Sequence, residues 1–218
     1  MSALAVTRPV VRSFRSPHFA EAATWVHAGG HAVVWLSPRK ARLVFSKPRE
    51  GDELDLGRWS ALDLGISQHT MATQGAFAGL AYVRVPHDCY TIVRERVVRD
   101  SIHPEPTRDI ELDCLACAAC CKDNCVELDD ADIARFEGAG RGDLAKPPYA
   151  RRENGSIVLV LRRDRRCKQL ADDNRCGIYE IRPSACSTFP RGSECCLSAR
   201  EEELGIVDGA ASPHDTDV

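Results

Sequence analysis

Cys114-Leu-Ala-Cys117-Ala-Ala-Cys120-Cys121 is the stretch on which the reading of this chain turns, with Cys125 four residues further on. Two CxxC steps share Cys117. A two-residue spacer lets a tight turn aim both thiolates of a pair at one ion. Two such steps in series supply three sulfurs from seven residues, the density an iron–sulfur cluster asks for. The adjacent pair Cys120-Cys121 complicates the picture. Neighbouring side chains diverge by about 100° on a helix and about 180° on a strand. One of the two can ligate while the other packs, or each can serve a different atom of a larger site.

The remaining thiols follow in order. Cys167 and Cys176 bracket Asp172-Asp173-Asn174, which are good turn residues. Cys186 closes a segment that runs Cys176-Gly-Ile-Tyr179-Glu-Ile-Arg182-Pro183-Ser-Ala-Cys186, and Cys195-Cys196 comes last. Ten of the 11 cysteines lie between Cys114 and Cys196, and only Cys89 precedes them. Cys89 reads as a small core residue. No histidine occurs between His103 and His214. The expected ligand set is therefore thiolate-rich: Cys114, Cys117, Cys120, Cys121, Cys167, Cys176 and Cys186. Soft sulfur selects zinc, copper(I) or iron–sulfur clusters over magnesium or calcium. The three-sulfur run favours an iron–sulfur cluster over zinc, with copper(I) third. Lys122, Arg175 and Arg182 are the cations placed to offset the charge of such a site.

These residues carry a resemblance. The order Cys114-x2-Cys117-x2-Cys120-Cys121, Cys167, Cys176-Gly-Ile-Tyr179-x2-Arg182-Pro183-x2-Cys186, Phe189-Pro190 resembles the zinc- or iron-chelating CxxCxxCC domain of YkgJ-like cysteine-cluster proteins, over residues 112–197. The resemblance implies metal chelation and leaves the metal open. Flagellin lysine N-methylases are similar in carrying such a cluster, which implies a methyl-transfer relative.

Working outward, the segment 128–138 reads as a helix capped by Asp129 or Asp130 and stopped at Gly138. Asn154-Gly155 predicts a tight turn before a buried strand from Ile157 to Leu161. His103-Pro104-Glu105-Pro106 reads as an extended connector. Ahead of it, His18–His27 predicts a short helix ended by Gly29-Gly30. His31–Leu36 and Ala41–Phe45 predict a strand hairpin, and Leu80–Val85 and Tyr90–Val98 predict two further strands. Gly51–Gly79 fits no single pattern. The fold class expected is α+β: an N-terminal α+β domain over 1–110, a compact loop-rich metal-binding domain over 111–204, and a fraying tail over 205–218.

Composition narrows the partners. Hydrophobic residues make up 44% and charged residues 28% of the 218, which suits a packed globular chain. The net charge of -3 gives no electrostatic reason to bind nucleic acid or an anionic membrane. Arg162, Arg163, Arg165 and Arg166 read as a solvated hairpin face rather than an RNA-binding surface. No apolar run approaches the ~20 residues that span a bilayer. No apolar core follows Arg8, Arg12 and Arg15, so no secretory signal is read and the cytoplasm is the expected compartment. In that reducing setting a dense cysteine field reads as metal-binding before disulfides. Three functions stay open. They are a metal-binding module that meets a protein partner through its N-terminal domain, an iron–sulfur enzyme of methyltransferase-like or redox type, and a thiol-based redox or metal sensor.

Overall fold

A computed structural model describes residues 4–48, 55–122 and 124–207. The tail beyond 207, and the part of the unassigned Gly51–Gly79 stretch at 51–54, lie outside the described residues. The architecture is α+β, as composition and pattern predict. Contacts divide the chain into two compact units. One comprises residues 5–111 with 190–198, the other residues 112–189 with 199–206.

The N-terminal unit opens with β1 (Leu4–Pro9) and β2 (Val11–Arg15), followed by α1 (Phe19–His27), β3 (His31–Ser37) and β4 (Lys40–Phe45). Then come α2 (Leu56–Asp63), β5 (Thr70–Met71), β6 (Ala81–Arg84), α3 (Tyr90–Asp100) and β7 (Thr107–Leu112). Five strands form one sheet in the order β2-β3-β4-β6-β5, while β1 and β7 pair separately. β2 and β3 are parallel, joined through α1, and β3 and β4 form the expected antiparallel hairpin.

The run His-Ala-Val-Val-Trp in β3 is buried throughout because both faces of the sheet are covered. On one face Ala32 and Val34 meet Ala22, Ala23 and Val26 of α1. On the other, Val33, Trp35, Leu43, Phe45 and Val83 meet Ala61 of α2 and Tyr90 and Val93 of α3.

Tyr90–Val98 is helix, not strand. Its β-branched residues (Ile92, Val93, Val97, Val98) suggest a strand, but the residues that meet the core are Tyr90, Val93 and Val97. That i, i+3, i+7 spacing is the helical period. Packing of this stripe overrides the strand propensity of the residues between.

Polar groups are also buried in this unit. Glu194 accepts from Arg8, from Arg96 Nε at 3.1 Å and from Arg99 Nη2 at 2.9 Å. Fully buried Asp100 accepts from the Val11 amide at 2.8 Å. Gly192 allows the 190–198 segment to enter. Its φ is +81°, and a Cβ there would stand 2.8 Å from Val6 Cγ1.

The C-terminal unit contains α4 (Cys114–Cys117), β8 (Glu127–Leu128), α5 (Asp130–Gly138), β9 (Ala150–Glu153), β10 (Ser156–Leu159) and α6 (Ser184–Ser187). A further helix, α7 (Glu194–Leu204), begins within the 190–198 segment. The strands lie in the order β8-β10-β9. Asn154 and Gly155 turn the β9–β10 hairpin with φ of 50° and 93°, the doubly left-handed turn that Asn-Gly favours. The expected strand to Leu161 ends at Leu159.

Asp129 caps α5. Its Oδ1 accepts from the Asp132 amide at 2.7 Å, and Asp132 Oδ2 accepts from the Asp129 amide at 3.3 Å. The helix ends at Gly138, as expected. Gly140 takes the left-handed conformation at φ 69°, and the Arg141 amide returns to the Phe136 carbonyl at 2.7 Å. The core of this unit is small: Val126, Leu128, Phe136, Leu144, Ala150, Leu159 and Ile178, with Cys167, Cys176 and Cys186 packed against it.

Candidate metal centre

The CxxCxxCC run folds as two short turns broken by one left-handed residue. Asp113 Oδ1 caps α4 by accepting from the Leu115 and Ala116 amides at 2.9 and 3.2 Å. Ala118 then takes φ 47°, and a 3-10 turn carries Ala119, Cys120 and Cys121. Ala118 and Ala119 are buried. The small residues of the motif thus let the backbone turn against the core.

Later segments dock onto this run. The Cys167 amide donates to the Cys121 carbonyl at 2.9 Å, and Lys122 bridges Arg166 in antiparallel register. Leu161 and Cys167 pair across a loop whose tip, Arg165, is left-handed at φ 67°. Leu170 and Cys176 pair across the Asp172-Asp173-Asn174 turn, with Asn174 at φ 62°. Asn174 Nδ2 donates to the Ala116 carbonyl at 3.3 Å, tying that turn to α4. Part of the basic run supports the same loops. Arg162 Nη2 donates to the Leu170 carbonyl at 2.6 Å, and Arg166 Nη2 to the Ala171 carbonyl at 2.9 Å.

One cavity of about 40 Å³ results. Cys120, Cys121, Cys167, Cys176 and Cys186 line it, with Arg182 and Asn124 beside apolar Val126, Leu159 and Ile178. Five of the seven expected ligands therefore share one wall. Cys114 and Cys117, on α4, are not among its lining residues, nor is exposed Cys125.

The electrostatics are those of crowded sulfur. Burial pushes the Cys186 thiol up to about 12, and the charges of Cys121, Cys167 and Cys176 add to it. Burial likewise raises Cys167 and Cys176. Cys121 goes the other way, to about 7. The Cys120 thiol donates to it, and the Arg182 cation lowers it further against the cost of burial. Among the described residues, no carboxylate or imidazole lines the cavity. This donor set fits a soft or borderline metal, since a bound dication would relieve the repulsion among the thiolates. Among the described residues, no three His, Cys, Asp or Glu side chains are already drawn together as a metal-holding group. The sulfurs stand around the cavity, not closed upon its centre.

A support that sequence reading missed holds the Cys186 segment. Asp132 is 1% exposed. Its Oδ1 accepts from the Ser184 amide at 2.8 Å, the Ser184 hydroxyl at 2.9 Å and Arg135 Nη1 at 2.8 Å. Arg135 Nη1 also donates to the Arg182 carbonyl at 3.0 Å. Burial opposes the Asp132 charge, but these bonds outweigh it and hold the carboxyl below its ordinary range. In sequence Asp132 reads only as a first-turn acid. The i, i+3 pair with Arg135 was the available signal.

The last cysteines belong elsewhere. Cys195 Sγ donates to Asp63 Oδ1 at 2.7 Å within the N-terminal unit. Burial, then the Asp63 carboxylate, pushes this thiol up to about 12. Cys89 packs against the core of the same unit, as read from sequence. Among the described residues, no helix is long and apolar enough to cross a membrane.

No curated protein and no solved structure matches the chain. A family model does. It is CxxCxxCC, described as a "putative zinc- or iron-chelating domain", and it covers residues 113–204. Residues 113–204, the cysteine-bearing part of this chain, are thus similar to the CxxCxxCC family, the resemblance that the cysteine order carries.

Proposed function

We propose that the C-terminal unit is a metal-binding module whose centre is built by Cys121, Cys167, Cys176 and Cys186, with Cys120 as a fifth sulfur at its edge. The observation that carries this reading is the cavity lined by five sulfurs and, among the described residues, by no carboxylate or imidazole. Four thiolates from separate segments make the donor set of a closed zinc site, and a closed site stabilises a fold rather than turning over substrate. The bound ion would supply a cross-link among the 121, 167, 176 and 186 segments, drawing the sulfurs inward as it displaces their protons. The Asp132–Ser184 bonds hold one of these segments ready.

This ordering differs from the one that spacing alone suggests. The argument for an iron–sulfur cluster rests on three sulfurs delivered by one run, and Cys114 and Cys117 do not line the cavity. The cluster reading keeps one support: Cys120 and Cys121 both line it, so more sulfur is present than one tetrahedral ion uses.

Elemental analysis with acid-labile sulfide on anaerobically purified protein tests the reading. One zinc per chain without sulfide is the expected result, and inorganic sulfide with two or more irons would reverse the order of the two metals. Serine at Cys121, Cys167, Cys176 or Cys186 should each abolish stoichiometric metal, while serine at Cys114 or Cys117 should leave it. Loss of metal in the Cys114 and Cys117 variants alone would overturn the ligand assignment.

A further inference from the structure

Several arginines of the C-terminal unit have a carboxylate beside them. Arg135 pairs with Asp132, Arg141 with Asp143, Arg151 with Glu153 and Arg162 with Asp172. Arg182 does not follow this pattern. Among the described residues it has no carboxylate partner. Its guanidinium lies 4.0 Å over the Tyr179 ring, and the residue lines the sulfur cavity. Cys121, Cys176 and Cys186 line the same cavity.

The backbone holds it there from both sides. Arg135 binds the Arg182 carbonyl, Pro183 follows with its φ fixed, and the Ser184 amide is bound by buried Asp132. Stacking on Tyr179 holds the planar cation at low entropic cost.

We infer that Arg182 is the counter-charge of the thiolate centre and sets how tightly that centre holds its metal. This rests on the metal-module reading above. Four neutral thiols that bind a dication and release four protons leave a centre of charge -2. A fixed cation at the cavity wall stabilises that product over the protonated, metal-free state. Tyr179 is then a positioning residue, acting through Arg182. In a cluster the same cation would favour retaining the added electron and raise the potential.

The test compares wild type, Arg182→Gln, Arg182→Lys and Tyr179→Leu in zinc competition against a chromogenic chelator at pH 7. Arg182→Gln should hold zinc about tenfold more weakly, which is about 1.4 kcal/mol. Arg182→Lys should recover most of that loss, because the charge returns without the fork. Tyr179→Leu should fall between. If the protein carries a cluster, its potential in Arg182→Gln should move negative by about 59 mV, the same tenfold for one electron.

Wild type that binds no metal would sink the module reading and this inference with it. Wild type that binds zinc, with Arg182→Gln binding equally well, would sink the inference alone. Equal losses in Arg182→Gln and Arg182→Lys would make the residue a packing element and also overturn it.

Discussion

The two units bury very different amounts of apolar surface. In the N-terminal unit thirteen buried residues pack one face of the sheet and seven the other. In the C-terminal unit, among the described residues, the main cluster has seven buried residues, and Cys167, Cys176 and Cys186 are among the partly buried residues packed against it. Apolar burial is the main favourable term in folding, and ordering each residue costs about 1–2 kcal/mol against it. A five-stranded sheet covered on both faces can meet that cost by packing. A three-stranded sheet with a few short helices and long loops is poorly placed to do so. The difference teaches where a bound metal would contribute most: in the unit whose side chains least complete the fold themselves.

The sharpest way to break this comparison is to take the metal away. A structural thiolate site contributes on the order of 10 kcal/mol of apparent binding free energy to the domain that closes on it. Stripping the metal with a chelator, or replacing Cys176 by serine, should unfold the region around the cavity and spare the sheet of the N-terminal unit. The chain offers a clean reporter. All three tryptophans, Trp25, Trp35 and Trp59, lie in the N-terminal unit. Tryptophan emission should stay native while hydrogen exchange across 114–186 speeds up. An apo-protein with unchanged protection at Cys167 and Cys176 would show that the small core suffices.

The same contrast governs what could be read from sequence. The β3–β4 hairpin and the α5 cap were legible, because each is set by neighbours a few residues apart. Asn154-Gly155 was legible for the same reason. The α3 segment was misread, since its β-branched residues point one way and its packing stripe the other. The cysteine spacing marks the segment that the family model matches, but not which sulfurs line the cavity. That depends on one left-handed residue, Ala118, which turns Cys120 and Cys121 inward of a separate α4. Asp132 stayed hidden because Ser184, its partner, is 52 residues away. Glu194 stayed hidden because Arg8, Arg96 and Arg99 meet it from two distant parts of the chain.

Glu194 allows a second test, now of the N-terminal unit. This carboxylate is 3% exposed and carries three guanidinium partners. Removing one member of a buried charge network leaves the others uncompensated, at a cost of about 3–5 kcal/mol. Glu194→Ala should therefore lower the denaturant midpoint followed by tryptophan emission by that equivalent, with metal content unchanged. The residue lies inside the CxxCxxCC family match, yet its effect is expected in the other unit. A loss of metal without a shift in the tryptophan transition would show that Glu194 serves the cysteine site instead.

The smallest expected effect separates the units by pH. His31 is buried at the start of β3, with Ser60 Oγ 3.4 Å from its Nδ1 and the Phe45 ring 6.1 Å away. Burial, then the nearby Arg8 cation, lowers its pKa from 6.5 to about 3. The folded unit thus keeps this imidazole neutral where the unfolded chain protonates it. Stability from this group is fully present above pH 6.5 and is lost as pH falls towards the folded value. The slope is about 1.4 kcal/mol per pH unit, or about 2 kcal/mol between pH 6.5 and 5. Acid also releases metal from thiolates, so the two units should both weaken, for different reasons. The measurement is the tryptophan-detected denaturant midpoint from pH 7 to 5, on wild type and His31→Gln. Wild type should lose stability over that range, and the variant should begin lower and lose less. Parallel pH slopes in the two proteins would mean that another group carries the proton, and that the buried imidazole is not what sets the acid limit of the N-terminal unit.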